Sequence, residues 1–295
     1  MSEGNLNKAI KSGQFVIIAE CLPPRGADAA KIKACAQVLG GMVHAVGAVE
    51  SEDGVRLCSL AACNHLACAG AEPILHLLTR DLNRIALQAT ILGAVSLGIT
   101  NIFCTTGRHQ VLTAESCAKG VNDVDPIQLL RIADGMRKDG LLANGQELDG
   151  KIEFILGTDT NPFAEPMELQ VIALEQAIRS GADFIITQPV YNLEAFNQWV
   201  KAISQRNIPS QTYIIAAVKP LTSKDEALAL REKYRHLDIP DSVLSKLDAT
   251  SGIDLAVETL IALKNTEGIR GVYLMTGDNF QLAADILKAS GLSRG

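Results

Sequence analysis

The chain has 295 residues, of which 47% are hydrophobic and 20% charged, a composition typical of a globular protein with a sizeable core. The net charge of −6 argues against binding to nucleic acids or anionic membranes, since both require a basic surface. No apolar stretch approaches the roughly 18–20 residues of a membrane span, and the N-terminus lacks the pattern of a signal peptide. We therefore expect a cytoplasmic protein without nucleic-acid or membrane partners.

Short aliphatic runs alternate with helical segments along the whole chain. Each run is continuously apolar rather than alternating, which is typical of parallel strands covered on both faces. The predicted strands are Phe15–Cys21, Met42–Val49, Pro73–Leu78, Asn101–Thr105, Glu153–Gly157, Asp183–Gln188, Thr212–Val218 and Gly271–Thr276. Apolar residues at three- and four-residue spacing predict helices between them, as in Leu82–Leu97, Met167–Ser180 and Asn279–Ala289.

Eight strands, each followed by a helix, predict an α/β fold of the (β/α)8 barrel type, in one domain that spans residues 1–295. The doubly wound alternative usually carries a glycine-rich turn after its first strand. Here Leu22-Pro23-Pro24-Arg25-Gly26 stands at that point instead. In such barrels the active site lies at the carboxyl ends of the strands, so the residues that follow each strand are the candidates for function.

The first predicted strand ends in Glu20, and two prolines and a glycine stop the strand directly after it. A carboxylate at the end of an apolar strand is costly to bury without a partner or a chemical task. Two interpretations stay open on the residues alone: an ion pair with a neighbouring Arg or Lys, and a catalytic acid.

The other strand ends carry hydroxyls, amides and glycines but no nucleophile–base pair. Such a site fits a bound cofactor that performs the difficult chemistry. His76 lies inside the third strand, where a polar side chain needs a partner. The remaining strand-end residues are Thr79–Asp81, Thr105–Arg108, Thr158–Pro162, Thr187–Pro189, Lys219–Pro220 and Thr276–Asn279.

The seven cysteines do not indicate a disulfide framework in a chain of this length. Cys58, Cys63 and Cys68 recur every fifth residue, which places them on different faces of a helix and favours buried cysteines over a zinc site. Cys21 and Cys104 lie in apolar strands with no adjacent histidine, which argues against a nucleophile. We expect no metal site.

Four segments resemble, in the same order, those of the methylenetetrahydrofolate reductases, and in particular the single-barrel bacterial enzymes of the acetogen type. They are Phe15–Gly26, Pro73–Asp81, Leu97–Gly107 and Gly181–Pro189. The resemblance implies a barrel with bound FAD that reduces 5,10-methylenetetrahydrofolate to 5-methyltetrahydrofolate. It also implies an electron donor, which is NAD(P)H or a protein, and an oligomer or a complex with other one-carbon or electron-transfer subunits.

The resemblance assigns roles to individual residues. Glu20 corresponds to the general acid of the family, which protonates the folate and helps to open its imidazolidine ring. Gln188, preceded by Thr187, corresponds to the glutamine that contacts the folate, and His76 to the histidine near the flavin. The further residues assigned to cofactor binding are Thr105, Thr106, Gly107, Asp159 and Asn161.

Several positions depart from the family pattern, and two of them bear on cofactor binding. Arg108 follows Gly107 where the family usually has an aspartate, and we assign it to substrate binding, for example to the glutamate tail of the folate. Ala177 stands where a lysine usually meets the phosphates of the cofactor. Two alternatives therefore stay open: a flavin-free folate-binding homologue that transfers hydride directly or handles a methyl group, and a non-catalytic subunit of a one-carbon complex.

Overall fold

The computed structural model describes residues 4–50, 54–234 and 237–294. Eight parallel strands pair in chain order and close into a barrel, because the first strand also pairs with the eighth. The strands are β1 Val16–Cys21, β2 Ala45–Ala48, β3 Pro73–Leu78, β4 Asn101–Thr105, β5 Ile155–Thr160, β6 Phe184–Pro189, β7 Tyr213–Val218 and β8 Gly271–Leu274. The predicted (β/α)8 barrel is confirmed.

Helices surround the barrel and connect its strands. They are α1 Asn5–Ser12, α2 Ala30–Leu39, α3 Ser59–Cys68, α4 Arg84–Ser96, α5 Pro126–Lys138, α6 Met167–Arg179, α7 Leu193–Gln205, α8 Lys224–Lys233, α9 Asp241–Leu247, α10 Gly252–Lys264 and α11 Phe280–Ser290. Three of them, α8 to α10, stand between β7 and β8, whereas one helix follows each of the earlier strands. The longest polar insert, after β4, contains only a short 3₁₀ turn at Gln110–Leu112.

Alternation along each strand divides the core into two layers. Val16 and Ile18 of β1 point into the barrel, where they join Phe103, Phe184 and Tyr273. The intervening side chains point outward and pack under the helices, in a second and larger cluster. Helix α1 closes the amino end of the barrel by adding two buried residues, Leu6 and Ala9, to the inner cluster.

The fifth strand begins and ends later than the sequence predicts. Its polar end, Thr158 to Thr160, continues the ladder and pairs with Ile185 to Thr187 of β6. The prediction ended at Gly157 because the residues after it are polar. Hydrogen bonding to β6 extends the strand in spite of their polarity, and Asp159 therefore stands on the rigid barrel wall instead of a loop.

Candidate active site

Glu20 projects into the barrel at the carboxyl end of β1, two residues after Ile18 on the same face. Its side chain is buried, and its Oε1 accepts a hydrogen bond of 2.6 Å from the backbone N–H of Gly277, which follows β8. Burial raises the pKa of this carboxyl, while the Gly277 N–H and the charge of Lys219 oppose that increase. The net effect is a raised pKa, so this carboxyl keeps its proton to a higher pH than an exposed glutamate does.

Three stacked or tilted rings lie inside the barrel below Glu20. The ring of His76 on β3 lies 4.7 Å, between centroids, from the ring of Phe103 on β4, and 6.5 Å from the ring of Tyr273 on β8. Burial lowers the pKa of His76 to about 3, so its imidazole is neutral at physiological pH. His76 can therefore accept or donate a hydrogen bond here, but it does not supply a positive charge.

A second carboxyl, that of Asp159 on β5, faces the opening at the carboxyl ends of the strands, which we call the mouth of the barrel. Solvent reaches this side chain, yet the surrounding barrel wall limits its hydration and raises its pKa. A hydrogen bond from the Thr105 hydroxyl on the neighbouring strand lowers the pKa in opposition. Since β5 and β1 stand on opposite sides of an eight-stranded barrel, Asp159 and Glu20 face the same opening from two sides.

The turn after β4 presents backbone to the mouth. Gly107 has φ 74°, a left-handed conformation that favours glycine, and a Cβ there would lie 2.7 Å from Cδ2 of Leu78. Thr106 and Gly107 are exposed at this turn. Because Gly107 has no side chain, a flat ligand can approach the backbone closely at this turn.

Arg108 extends from this turn toward the end of α8. Its guanidinium lies 4.1 Å from the centre of the Tyr234 ring, a cation–π contact. Its carbonyl accepts a 2.7 Å hydrogen bond from Nη1 of the buried Arg80, whose guanidinium also binds Asp81. The β4 and β7 sides of the rim thus touch through Arg108 and Tyr234.

The remaining sites predicted on β5 and β6 differ in what they offer a ligand. The Thr187 hydroxyl donates to the carbonyl of Gln188 at 2.9 Å and accepts from the N–H of Ala217 at 3.1 Å, so it holds β6 against β7. Gln188 is half-buried at the end of β6. The Asn161 side chain accepts from the N–H of Phe163 at 3.0 Å and stabilises the turn after β5.

Sequence reasoning missed Tyr273. Its hydroxyl lies inside the barrel next to Gly47 of β2, and the charge of Glu20, after burial, raises the pKa of the tyrosine. The available signal was its position: in β8, Tyr273 stands two residues after Gly271, on the inward face. As an aromatic residue within an aliphatic strand it carries no functional signal of its own, and only the barrel brings its hydroxyl next to Gly47 and within reach of the charge of Glu20.

The buried cysteines belong to the outer layer of the core. Cys21 and Cys104 point outward from their strands into the layer beneath the helices, and Cys63 is buried on α3. Within residues 4–50, 54–234 and 237–294, no group of three or more His, Cys, Asp or Glu side chains is arranged to hold a metal ion. Among the same residues no helix is long and apolar enough to cross a membrane.

A closed parallel barrel with a buried acidic side chain at the carboxyl ends of its strands defines the class to which this chain belongs, the (β/α)8-barrel proteins. The family model of methylenetetrahydrofolate reductase matches residues 5–291, nearly the whole chain. The chain therefore belongs to the methylenetetrahydrofolate reductase family, as its four segments predicted. No functionally curated protein matches the sequence.

Solved structures share the fold at low sequence identity. A protein from Clostridium thermocellum, described as uncharacterized and as binding two copies of 5-methyl-5,6,7,8-tetrahydrofolic acid, is 16% identical, with a TM-score of 0.65 over 96% of this chain and 99% of that one. A long-chain alkane monooxygenase is 11% identical, with a TM-score of 0.58 over 95% and 92% of the two chains. A 2,3-dimethylmalate lyase is 13% identical, with a TM-score of 0.54 over 93% and 80%. At these identities the likeness concerns the fold alone.

Proposed function

We propose that this chain reduces 5,10-methylenetetrahydrofolate to 5-methyltetrahydrofolate by hydride transfer through bound FAD, with Glu20 as general acid. The observation that carries the proposal is the buried carboxyl of Glu20, which the barrel holds at its mouth with a raised pKa. Membership of the methylenetetrahydrofolate reductase family supports the choice of substrate. The C. thermocellum protein, described as binding a methylated tetrahydrofolate, supports it as well.

Glu20 performs the proton transfer. The substrate carries its one-carbon unit in a five-membered ring between two nitrogens. A proton from the Glu20 carboxyl to one of these nitrogens breaks the ring C–N bond and leaves a 5-iminium cation. Addition of one hydride to this cation gives the methyl group, so that one proton and one hydride enter for each product. Glu20 then takes up a proton from solvent at the mouth.

The residues at the ends of β4 and β5 fit the ring system of a flavin. The bare backbone at Gly107 admits a flat ring beside Leu78, and the Thr105 hydroxyl and Asp159 carboxyl offer hydrogen bonds to its polar edge. The unpartnered Nε2 of buried His76 offers another. Once reduced by the electron donor, the bound flavin would supply the hydride. We assign Thr105, Thr106, Gly107, Asp159, Asn161 and His76 to holding it.

Three residues are assigned to the folate. The half-buried amide of Gln188 both donates and accepts hydrogen bonds, which suits the edge of a pterin ring. Thr187 fixes the strand end that carries Gln188. Arg108 offers a guanidinium at the rim, where the carboxylates of a folate tail leave the barrel.

We further propose that the whole chain acts as one catalytic domain in the cytoplasm and takes electrons from NAD(P)H or from a protein donor. We also propose that it works as an oligomer or in a complex with other one-carbon or electron-transfer subunits. The family resemblance supports these assignments.

Two observations favour a second candidate, a flavin-free member of the family that binds folate and transfers hydride directly or handles a methyl group. Ala177 is buried under the barrel wall and brings no charge to a cofactor phosphate. Arg108 is engaged with Tyr234, and it places a positive charge at the β4 rim.

An absorption spectrum of the purified protein, followed by titration with 5-methyltetrahydrofolate, separates the two candidates. The proposed function predicts a yellow protein with flavin bands and saturable folate binding. Glu20→Gln should abolish folate reduction while flavin reduction and folate binding persist, and the exposed Glu267→Gln should leave all three unchanged. A colourless protein that binds folate tightly favours the second candidate, and a protein that binds neither ligand overturns both.

A further inference from the structure

A buried arginine lies beneath the turn that follows β4. Arg80 stands two residues after the end of β3 and is 8% exposed, whereas Thr106 and Gly107 of the turn are exposed. A Cβ placed on Gly107 would lie 3.6 Å from Cζ of Arg80, so the guanidinium packs directly against the turn. An arginine is rarely buried unless it is paired, and the partners of Arg80 therefore indicate its task.

Arg80 binds the carbonyls on both sides of Gly107. Its backbone N–H donates to the carbonyl of Thr106 at 3.3 Å, and its Nη1 donates to the carbonyl of Arg108 at 2.7 Å. Its Nε and Nη2 donate to the two carboxylate oxygens of Asp81, at 2.7 and 2.5 Å, which fixes the plane of the guanidinium. One residue thus holds the turn at two points.

The direction of these two carbonyls sets the direction of two N–H groups. In a trans peptide the C=O and the N–H point to opposite sides, and both peptides are trans. The carbonyls of Thr106 and Arg108 face Arg80. The N–H groups of the same peptides, which belong to Gly107 and His109, therefore face away from it, on the exposed side of the turn. Neither N–H donates to an acceptor within residues 4–50, 54–234 and 237–294.

We propose that Arg80 is a positioning residue for ligand binding at the mouth. It fixes the turn after β4 so that the N–H groups of Gly107 and His109 are presented as donors to the ligand. Preorganised backbone donors suit the oxygen and nitrogen acceptors at the edge of a flat heterocycle. That the ligand is FAD rests on the proposed function, whereas the fixing of the turn rests on the contacts of Arg80 alone.

Two substitutions at Arg80 and one matched control test the proposal. Arg80→Gln removes the guanidinium, while Arg80→Lys keeps the positive charge but loses the planar fork that reaches Asp81 and Arg108 together. Asp81 is half-exposed, so water solvates its carboxylate when Arg80 is replaced, and both variants should fold. The control, Arg84→Gln, removes an exposed arginine that pairs with Asp123 at the far end of the same connection.

Backbone order at the turn is the first readout, and it requires no ligand. NMR relaxation should give the His109 N–H an order parameter of about 0.85 in the wild type and in Arg84→Gln, and below about 0.6 in both Arg80 variants. Gly107 serves as an internal reference, because the backbone N–H of residue 80 holds the Thr106 carbonyl in every variant. An unchanged order parameter of His109 in Arg80→Gln overturns the inference.

Titration with FAD and, separately, with 5-methyltetrahydrofolate is the second readout. In the wild type the bound ligand should shift the amide resonances of Gly107 and His109. Loss of one preorganised donor should raise the Kd about tenfold in Arg80→Gln and leave it unchanged in Arg84→Gln. Wild-type affinity in Arg80→Gln overturns the inference, as does a bound ligand that leaves both resonances in place.

The two readouts separate this inference from the proposed function. If the wild type binds folate but no FAD, and folate shifts the two amide resonances, the inference stands and the flavin-dependent function fails. If Arg80→Gln binds FAD as the wild type does and reduces folate, the inference fails and the proposed function stands.

Discussion

The backbone N–H of Gly277 lies 2.6 Å from Oε1 of Glu20, and the carbonyl of the same glycine accepts a 3.2 Å hydrogen bond from the N–H of Leu22. Gly277, which follows the last strand, therefore binds both the acid at the end of the first strand and the backbone just after that strand. Gly277 thus fixes the orientation of the buried acid, beside the β1–β8 pairing that closes the barrel.

Folate reduction should slow as the pH rises, because only the protonated form of Glu20 donates a proton. Burial raises the pKa of this carboxyl above its ordinary value, so the acid form persists to higher pH and is lost above the raised pKa. We expect kcat/KM for the folate to fall about tenfold per pH unit above that pKa. Flavin reduction by the electron donor, measured separately, should not follow this profile. A rate that is constant across neutral and alkaline pH contradicts the role of Glu20.

The stability of the fold should decline on mild acidification, with His76 as one cause. In the unfolded chain a histidine takes up a proton below about pH 6.5, whereas folded His76 stays neutral down to about 3. The free energy of unfolding therefore falls as the pH drops through this window, by about 2 kcal/mol at pH 5 for this group.

Urea unfolding at pH 7 and pH 5 measures this effect of His76. His76→Gln should reduce the difference in unfolding free energy between the two pH values, whatever its effect at pH 7. His65→Gln, on the partly exposed side of α3, should leave that difference unchanged. Buried His44, whose pKa is also lowered by burial, contributes in the same direction and remains in both variants. An equal pH dependence in His76→Gln and the wild type refutes the prediction.

Arg108 and Tyr234 should be energetically coupled across the rim. Their cation–π contact lies at the surface, where such contacts contribute about 0.5–1 kcal/mol. A double-mutant cycle of Arg108→Ala and Tyr234→Ala, followed by urea unfolding, should give a coupling energy of that size. A coupling energy of zero means that the contact does not stabilise the fold, and it contradicts the prediction. Folate affinity should fall in Arg108→Ala if this guanidinium binds the folate tail as we propose.

Arg137 should be among the residues on which stability depends most strongly. Its largely buried guanidinium donates to the carbonyls of Phe154 at 2.9 Å and Gly181 at 2.8 Å, and it pairs with Asp134 and Asp183. It thus joins α5 to the starts of β5 and β6. Arg137→Ala removes two ion pairs to half-buried carboxylates and the donor to the carbonyls of Phe154 and Gly181, and should cost about 2–3 kcal/mol.

Denaturant unfolding of Arg137→Ala can be compared with that of Arg179→Ala. Arg179 is an exposed arginine on α6 that pairs with Glu175 at 3.5 Å, and its loss should cost less than about 1 kcal/mol. Equal losses in the two variants argue against the role of the buried network.

Local patterns predicted most of the fold. All eight strands appear within a few residues of their predicted positions, because each is a compact apolar run that ends at a polar or glycine-containing turn. The clear exception is β5. Its last residues, including Asp159, are polar and join the strand only because β6 supplies hydrogen-bond partners from a distant part of the chain.

The chemistry of the candidate site was predictable in part for the same reason. Glu20 stood out because a carboxylate at the end of an apolar strand is unusual. Arg108 was identified as a departure from a family pattern, but its contact with Tyr234 joins two rim segments that no local pattern connects. Tyr273 carried no signal beyond its place on an inward face.

The sequence by itself determined the order of strands and helices, the class of barrel and the family, because these depend on short-range periodicity and on motifs that lie within single strands and their turns. Only the tertiary structure decided which of the strand-end residues meet. Glu20 and Gly277 are 257 residues apart, and they come into contact because β1 pairs with β8 when the barrel closes. The same closure surrounds Glu20 with protein, and the loss of water around it raises the pKa of its carboxyl above the ordinary value.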